Sequence, residues 1–488
     1  MTIELPLVQE LEPAPDPLIA CERLASLPYC LFLDSAATDH PSGRYSFLTA
    51  DPPIVLRGRG SSTTRIGADG RNELSVDILT AARALLAAWE SPHVPGLPPF
   101  QGGLAGYVGY ELGQVLERLP APRYDDLRLP HAQLALYDWV VAWDHRQARA
   151  WLISTGVPER GASRASRARS RLSGVLERLA ASVSPDLGPG VARTPVQEPA
   201  PSYVLDRSAL RSGPRTIRST FTRGAYLEAV ERVRQYILAG DIFQANLSQR
   251  LQAPCHVHPW ALYRRLRLTS PAPFSAYLEL GDVAVASASP ERFLLLDAGH
   301  RVETRPIKGT RPRGDTPEHD AALAGELLAS EKDRAENLMI VDLLRNDLSR
   351  VCRPGTVRAT ELFALEHYST VQHLVSTVVG ELDEGARAVD LLAAAFPGGS
   401  ITGAPKIRAM EIIAELEPTT RGVYSGSIGY LGLDGTMDTS IAIRTCVAAG
   451  DTVYFPVGGG IIADSDPESE YQETLEKAAG LVRAVSFS

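Results

Sequence analysis

The chain has 488 residues, 44% of them hydrophobic and 22% charged, a globular composition that excludes a disordered or fibrous protein. That length exceeds what one ordinary core organises, so two domains or one large two-lobed domain are expected. Lys and Arg number 49 against 58 Asp and Glu, a net charge of -9, which excludes whole-surface attraction to nucleic acid or anionic membrane and leaves room for a local basic pocket.

In chain order, Pro28 to Leu33, Leu134 to Trp143 and Ala148 to Ile153 read as strands, being rich in aromatic and β-branched residues between turn formers. Arg160 to Ala181 is rich in Arg, Ser and Ala, with Leu172, Val175, Leu176 and Leu179 at helical spacing, which predicts a surface helix. Ser184 to Ser202 is rich in Pro and Gly and predicts a linker between a region 1–200 and a region 215–488. Beyond it, Thr222 caps a helix with Tyr226, Val230, Val233 and Ile237 on one face and Gly240 as its stop. Thr316-Pro317 opens a second helix, Ser330 with Asp333 opens a third that runs to about Leu348, and Asp466-Pro467 opens the last. Strands are expected at Asp282 to Ala288, Phe293 to Leu296, Ser427 to Leu433, Ser440 to Val447 and Val453 to Phe455. The five cysteines, Cys21, Cys30, Cys255, Cys352 and Cys446, form no C-x-x-C pair, as expected of reduced thiols. Met1 to Leu5 starts no leader-like run and no stretch is apolar enough to span a bilayer, so a cytoplasmic address is expected.

Several segments carry residue types suited to chemistry. Glu303 to Gly314 gathers Arg305, Lys308, Arg311 and Arg313 among prolines and glycines. Burial and neighbouring arginines lower a lysine's pKa, so Lys308 is a candidate nucleophile or base, although the segment alone also reads as a solvated basic loop. Glu291, in Ser289-Pro290-Glu291-Arg292, sits at a strand exit, where an apolar pocket makes a carboxyl a general acid and where an ion pair with Arg292 is the plainer outcome. Glu336 on the third helix, with Glu470 and Glu473 on one face of the last, offers hard oxygen ligands for magnesium if the helices face each other. A wetted face paired with Lys332 and Lys477 is the alternative. Phe396 to Lys406 is a glycine-rich lead into a helix, where free N–H groups and Lys406 attract anions. Gly458, Gly459 and Gly460 after a strand let backbone approach a ligand closely. His373 has no metal-ligand partner at helical or strand spacing and reads alone as an ordinary core or surface histidine.

The order of these segments resembles a known family. Gly240-Asp241-Ile242-Phe243-Gln244-Ala245-Asn246-Leu247-Ser248, Ser289-Pro290-Glu291, Arg305-Pro306-Ile307-Lys308-Gly309-Thr310, Val341-Asp342-Leu343-Leu344-Arg345-Asn346-Asp347, Gly403-Ala404-Pro405-Lys406 and Ile443-Arg444 together resemble the chorismate-utilising enzymes. That family includes anthranilate synthase component I, aminodeoxychorismate synthase component I, isochorismate synthase and salicylate synthase. The resemblance covers Phe221 to the C-terminus and, less specifically, Gly43-Arg44-Tyr45-Ser46-Phe47 and Gly102-Gly103-Leu104-Ala105-Gly106-Tyr107.

The resemblance implies an α+β fold, a two-layer antiparallel β-sandwich with helices on the outer faces, in which 1–200 is the N-terminal region and 215–488 the chorismate-binding catalytic domain. Between Ile307 and Gly309 the anthranilate synthases usually carry Ala. Lys308 there resembles the aminodeoxychorismate synthase branch, whose product leads to 4-aminobenzoate and folate, and implies a covalent lysine adduct formed with Glu291 as acid. Magnesium is implied on Glu336 and Glu473, with Glu470 as a further ligand. Chorismate is implied against Gly309, Thr310, Tyr424, Arg444 and Gly458 to Gly460, with Lys406 a further candidate and His373 near the ring. Ammonia is implied from a separate glutamine amidotransferase subunit, since this chain shows no Cys-His signature of its own. Leu31-Phe32-Leu33-Asp34-Ser35 departs from the Leu-Leu-Glu-Ser run of tryptophan-inhibited members, so tryptophan is expected at most as a structural ligand against Ser35, Arg44, Tyr45, Ser46, Phe47, Pro271, Ala272 and Pro273. Anthranilate synthase component I, with Lys308 a tolerated variant, and a relative that binds without catalysis are the competing expectations.

Overall fold

The computed structural model describes residues 6–181, 199–205, 217–368 and 371–486. Most of the expected linker, Ser184 to Ser202, lies outside them. Among the described residues two antiparallel sheets of 13 and 12 strands make the sandwich, and helices pack against them: Pro467–Ser486 covers Thr452–Ile461, and Glu331–Ser349 covers Ile307–Pro312 and Val371–Glu381. No helix among the described residues is long and apolar enough to cross a membrane.

The helices start where their caps predict. The Thr222 hydroxyl accepts the Ala225 N–H at 3.1 Å, Thr316 that of His319 at 3.2 Å, Ser330 that of Asp333 at 3.2 Å, and the Asp466 carboxylate that of Ser469 at 2.9 Å. The arginine-rich helix spans Gly161–Ala180. It is more than a surface element, because its Arg167 and Arg171 grip the buried Asp138 carboxylate at 2.7 and 3.1 Å.

Asp138 also breaks the strand expected from Leu134 to Trp143. Ala132–Tyr137 belongs to the 12-stranded sheet and Trp139–Asp144 to the 13-stranded one, so the chain changes layers at that carboxylate. The strand expected from Ser440 to Val447 is likewise two strands, Met437–Ile441 in one sheet and Thr445–Ala449 in the other. Both runs are apolar enough to read as single buried strands, and periodicity does not register a change of layer.

The regions 1–200 and 215–488 do not each close a sheet of their own. Leu31–Asp34 pairs with Phe274–Glu279 in one sheet, and Gly103–Val108 pairs with Ser427–Gly432 in the other. A buried ion pair joins the halves as well, with Arg250 Nη1 donating to Asp126 Oδ1 at 2.8 Å.

Candidate active site

Two sheet-to-sheet crossings lie side by side and create the site. Ala284–Ser289 passes through Pro290-Glu291 into Arg292–Leu296, and Met437–Ile441 returns through Ala442 to Arg444 into Thr445–Ala449. They are stitched together: the Ser289 hydroxyl donates to the Ile441 carbonyl at 2.6 Å, the Ile441 N–H to the Glu291 carbonyl at 3.0 Å, and the Ala288 N–H to the Arg444 carbonyl at 3.1 Å. Arg444 takes a left-handed backbone, φ 51°, which ends one strand and starts the next.

Glu291 is 4% exposed. Burial pushes its carboxyl up to about 7, against the opposing pull of Ser400, Lys308 and the Ile307 N–H. Arg292 is not its partner, since that guanidinium holds Asp438 and Glu303 at 3.1 Å each. A carboxyl that stays protonated near neutrality, free of an ion pair with its neighbour, is equipped to donate a proton.

The expected basic loop around Lys308 is a strand, Ile307–Pro312, paired with Val371–Glu381 and bulged between Lys308 and Thr310. Arg305 pairs with Glu366, Arg311 with Glu326 and Asp333, and Arg313 with Asp320. Lys308 differs: its amine donates to the Ser400 carbonyl at 3.1 Å. Burial first, then nearby Lys477, lowers its pKa despite the pull of Glu336, Glu291 and Glu473. The bulge that aims Lys308 depends on Gly309, which sits at φ 79°, where a Cβ would stand 2.8 Å from Leu327 Cδ1 and 3.0 Å from Asp333 Cβ. Gly309→Ala is expected to cost about 1–3 kcal/mol of stability, read by thermal or denaturant unfolding. An unchanged midpoint would mean that the bulge relaxes freely.

The two acidic helices do face each other. The charge of Glu473 helps to raise the pKa of Glu336 across the gap, as like charges do. Burial leaves Glu336 and Glu470 above the usual carboxylate range. For Glu473 the burial penalty is outweighed by Lys477, Lys332 and Lys308, which hold it below that range; the Lys477 amine lies 2.6 Å away. Gly459 lets the backbone come up to this face, because a Cβ there would be 3.3 Å from Glu470 Oε2 and 3.6 Å from Glu473 Oε1. Among the described residues no three or more acidic, histidine or cysteine side chains already converge as a metal cluster. The donor set nevertheless suits magnesium, which takes one or two carboxylates and keeps its waters.

Around these groups, Arg444 makes no side-chain hydrogen bond or ion pair among the described residues, and its charge is felt by Tyr424 and Glu473; its planar fork is available to a carboxylate. His373 is buried, with Nδ1 2.9 Å from the Thr310 hydroxyl. Burial and Arg444 push its pKa down to about 3, so it stays neutral and acts through hydrogen bonding rather than as a cation. Gly458 and Gly460 lie on the strand Thr452–Ile461 with Gly459 between them. Lys406 is the exception among the expected substrate contacts: its amine is committed to Asp347 at 2.7 Å and the Ala395 carbonyl at 2.8 Å. The glycine-rich lead contributes differently, through the Ser400 carbonyl that receives Lys308. Gln244, 1% exposed, belongs to the segment Gly240 to Ser248, for which residue type alone suggests no role. It stands beside Lys308, because a Cβ on Gly460 would be 2.2 Å from Gln244 Nε2 and 3.6 Å from Lys308 Nζ.

A separate cavity of about 630 Å³ is lined by Ser35, Arg44, Tyr45, Phe47 and Pro273, with Asp34. Of the residues expected at a tryptophan pocket, Ser46 turns inward to Asp34 and His145 at 3.2 and 2.7 Å, and Pro271 and Ala272 do not line the space. The Asp34 carboxylate is taken by Arg267 and Tyr263 at 2.6 and 2.7 Å.

Residues 30–483 match the family described as chorismate binding enzyme. The chain belongs to that family. Among relatives of the chorismate binding enzymes, anthranilate synthase component 1 of Thermus thermophilus is 45% identical over 89% of this chain and 91% of its own length. Aminodeoxychorismate synthase component 1 of Salmonella typhimurium is 44% identical over 92% of each. The crystal structure of anthranilate synthase component I from Streptococcus pneumoniae shares the fold with a TM-score of 0.76 at 32% identity, covering 90% of this chain and 92% of that one. The menaquinone-specific isochorismate synthase of Escherichia coli, at 19% identity and a TM-score of 0.70, shares the sandwich over 99% of this chain and 96% of its own. The α+β sandwich expected of a chorismate binding enzyme is therefore what the chain forms.

Proposed function

We propose that the chain is the chorismate-converting component of an aminodeoxychorismate synthase. The observation that carries this reading is Lys308, whose amine donates to the Ser400 carbonyl and whose pKa is lowered by its surroundings, together with Glu291, whose carboxyl burial pushes up to about 7. Relatives named for two activities match almost equally, at 45% and 44% identity, so the discrimination rests on the chemistry of this one position.

In the proposed reaction the neutral Lys308 amine adds to carbon 2 of chorismate, both conjugated ring double bonds shift by one position, the 4-hydroxyl leaves as water on the proton given by Glu291, and the alkylated amine gives a proton back to that carboxylate. Ammonia then adds at carbon 4, both double bonds shift back, and the lysine departs as a neutral amine on the proton that the adding ammonia releases, so the enolpyruvyl group is retained. Ammonia is supplied by a glutamine amidotransferase subunit; the component 1 names of the relatives accord with such a partner. Arg444 grips a substrate carboxylate, and neutral His373 with Thr310 lines the ring's surroundings. Glu336 and Glu473, with Glu470 close by, are the residues that would hold magnesium, and the ion would neutralise a substrate carboxylate beside these acidic side chains.

The test is product identity. Purified chain with chorismate, magnesium chloride and ammonium chloride is expected to yield 4-aminobenzoate once the lyase that releases it is added. Anthranilate fluorescence appearing without the lyase would overturn the assignment in favour of the anthranilate reading.

A further inference from the structure

The acid of the proposed reaction stands where the backbone leaves one sheet for the other. Pro290-Glu291 joins Ala284–Ser289 to Arg292–Leu296, and the peptide between these two residues belongs to neither ladder. Both of its polar groups are served by side chains instead. The Glu291 N–H donates to the Ser289 hydroxyl at 3.3 Å, and the Pro290 carbonyl accepts from the Tyr368 hydroxyl at 3.2 Å. Ser289 is a close neighbour in the same turn. Tyr368 comes from elsewhere, directly after the strand Arg358–His367. A backbone carbonyl away from water needs a donor, and this one sets the plane of the peptide from which the Glu291 side chain departs.

Tyr368 is itself held along its length. Its N–H donates to the Val371 carbonyl at 2.8 Å, and its own carbonyl accepts from Arg313 at 3.1 Å. Its ring lies against that of His40, with centroids 4.5 Å apart and planes at 33°. His40 belongs to the N-terminal half, and its Nε2 is 3.2 Å from Glu366, which Arg305 also holds. On the site's side, the rings of Tyr368 and His373 meet edge to face, with centroids 4.9 Å apart and planes at 77°. Tyr368, His40 and His373 are all buried, at 8%, 6% and 4% exposure.

We propose that Tyr368 is a positioning residue: its hydroxyl fixes the peptide before Glu291, and its ring, backed by His40, supports His373. One side chain thus sets two groups of the site, and the N-terminal half takes part in the chemistry as well as in the sheets. The inference rests on the reading of Glu291 as the acid. Proton transfer needs the carboxyl within hydrogen-bond reach of the leaving oxygen, a tolerance that a turn without its anchor exceeds.

Tyr368→Phe keeps the ring and removes the bond to Pro290. With the full chain, chorismate, magnesium chloride and saturating ammonium chloride, kcat and the chorismate KM are measured for the wild type, Tyr368→Phe, Glu291→Gln and the double variant. Turnover is followed as chorismate consumed, so the readout holds whichever product forms. Tyr368→Phe is expected to lower kcat about tenfold, with the chorismate KM within about threefold. In the Glu291→Gln background the same substitution should change kcat by less than about twofold, because misplacing a side chain that gives no proton costs nothing further. An unchanged kcat in Tyr368→Phe, an effect confined to KM, or an equal loss in both backgrounds overturns the positioning role and leaves Tyr368 a core residue. If circular dichroism shows Tyr368→Phe unfolded, the same cycle is run and read in the same way with His40→Gln, which withdraws the supporting ring and keeps a donor for Glu366. Turnover of Glu291→Gln within tenfold of wild type would sink the acid reading and the inference with it, whereas a slow Glu291→Gln beside a fast Tyr368→Phe sinks the inference alone.

Discussion

Lys308→Ala is expected to lower turnover with ammonium by about a thousandfold or more, because a nucleophile that forms a bond to the substrate has no substitute in the surrounding side chains. Chorismate affinity, measured by titration in the absence of ammonia, should stay within a few fold, since Arg444 and the glycine backbone remain. The wild type trapped with chorismate should gain mass corresponding to chorismate less water, and the variant should not. Turnover in Lys308→Ala within tenfold of wild type would mean that ammonia attacks the ring directly, and the covalent route would be abandoned. The reason for expecting the larger effect is the environment of the amine. Its hydrogen-bond partner is a carbonyl, from Ser400, and burial favours the uncharged form.

The second large effect is on the pH profile. In the proposed reaction Glu291 must be protonated to release the 4-hydroxyl, and burial pushes its carboxyl up to about 7, so the fraction of chain with this acid ready falls as pH rises through that value. Lys308 must be neutral, so the same profile should climb with pH as its ammonium loses a proton, from a value held below that of an ordinary lysine. The product of the two conditions is a bell whose limbs belong to the pair, because the groups feel each other's charge. Glu291→Gln should lower kcat by about 10²–10⁴ fold and remove the limb that falls above neutrality. A variant that keeps this limb would assign it to another group and end the role of Glu291 as the acid.

How much of this was legible in the chain depends on the range of the interactions involved. Helix starts were legible at Thr222, Thr316, Ser330 and Asp466 because a cap is a contact across three residues. The layer changes at Asp138 and Arg444 were not, because whether an apolar run stays in one sheet is decided by strands far away in sequence. Lys308 was legible as a candidate by residue type and neighbours, while its burial and the Ser400 contact came only with the fold. Lys406 shows the opposite case. A lysine at a glycine-rich helix start reads as an anion site until Asp347, near the end of the helix Glu331–Ser349 and 59 residues away in sequence, is found to hold it.

The sharing of both sheets between the two halves bears on how the molecule can be assembled. A fragment starting after residue 215 would leave Phe274–Glu279 and Ser427–Gly432 without the strands Leu31–Asp34 and Gly103–Val108 that border them, exposing two rows of open main-chain groups of the kind that template aggregation. Pairings that span so much of the chain raise its contact order, and closure of such loops must precede their reward. The catalytic seam thus has its flanking strands in place only once the N-terminal half has docked, which ties the appearance of activity to completion of the whole sandwich rather than to the folding of the region that carries the reactive residues.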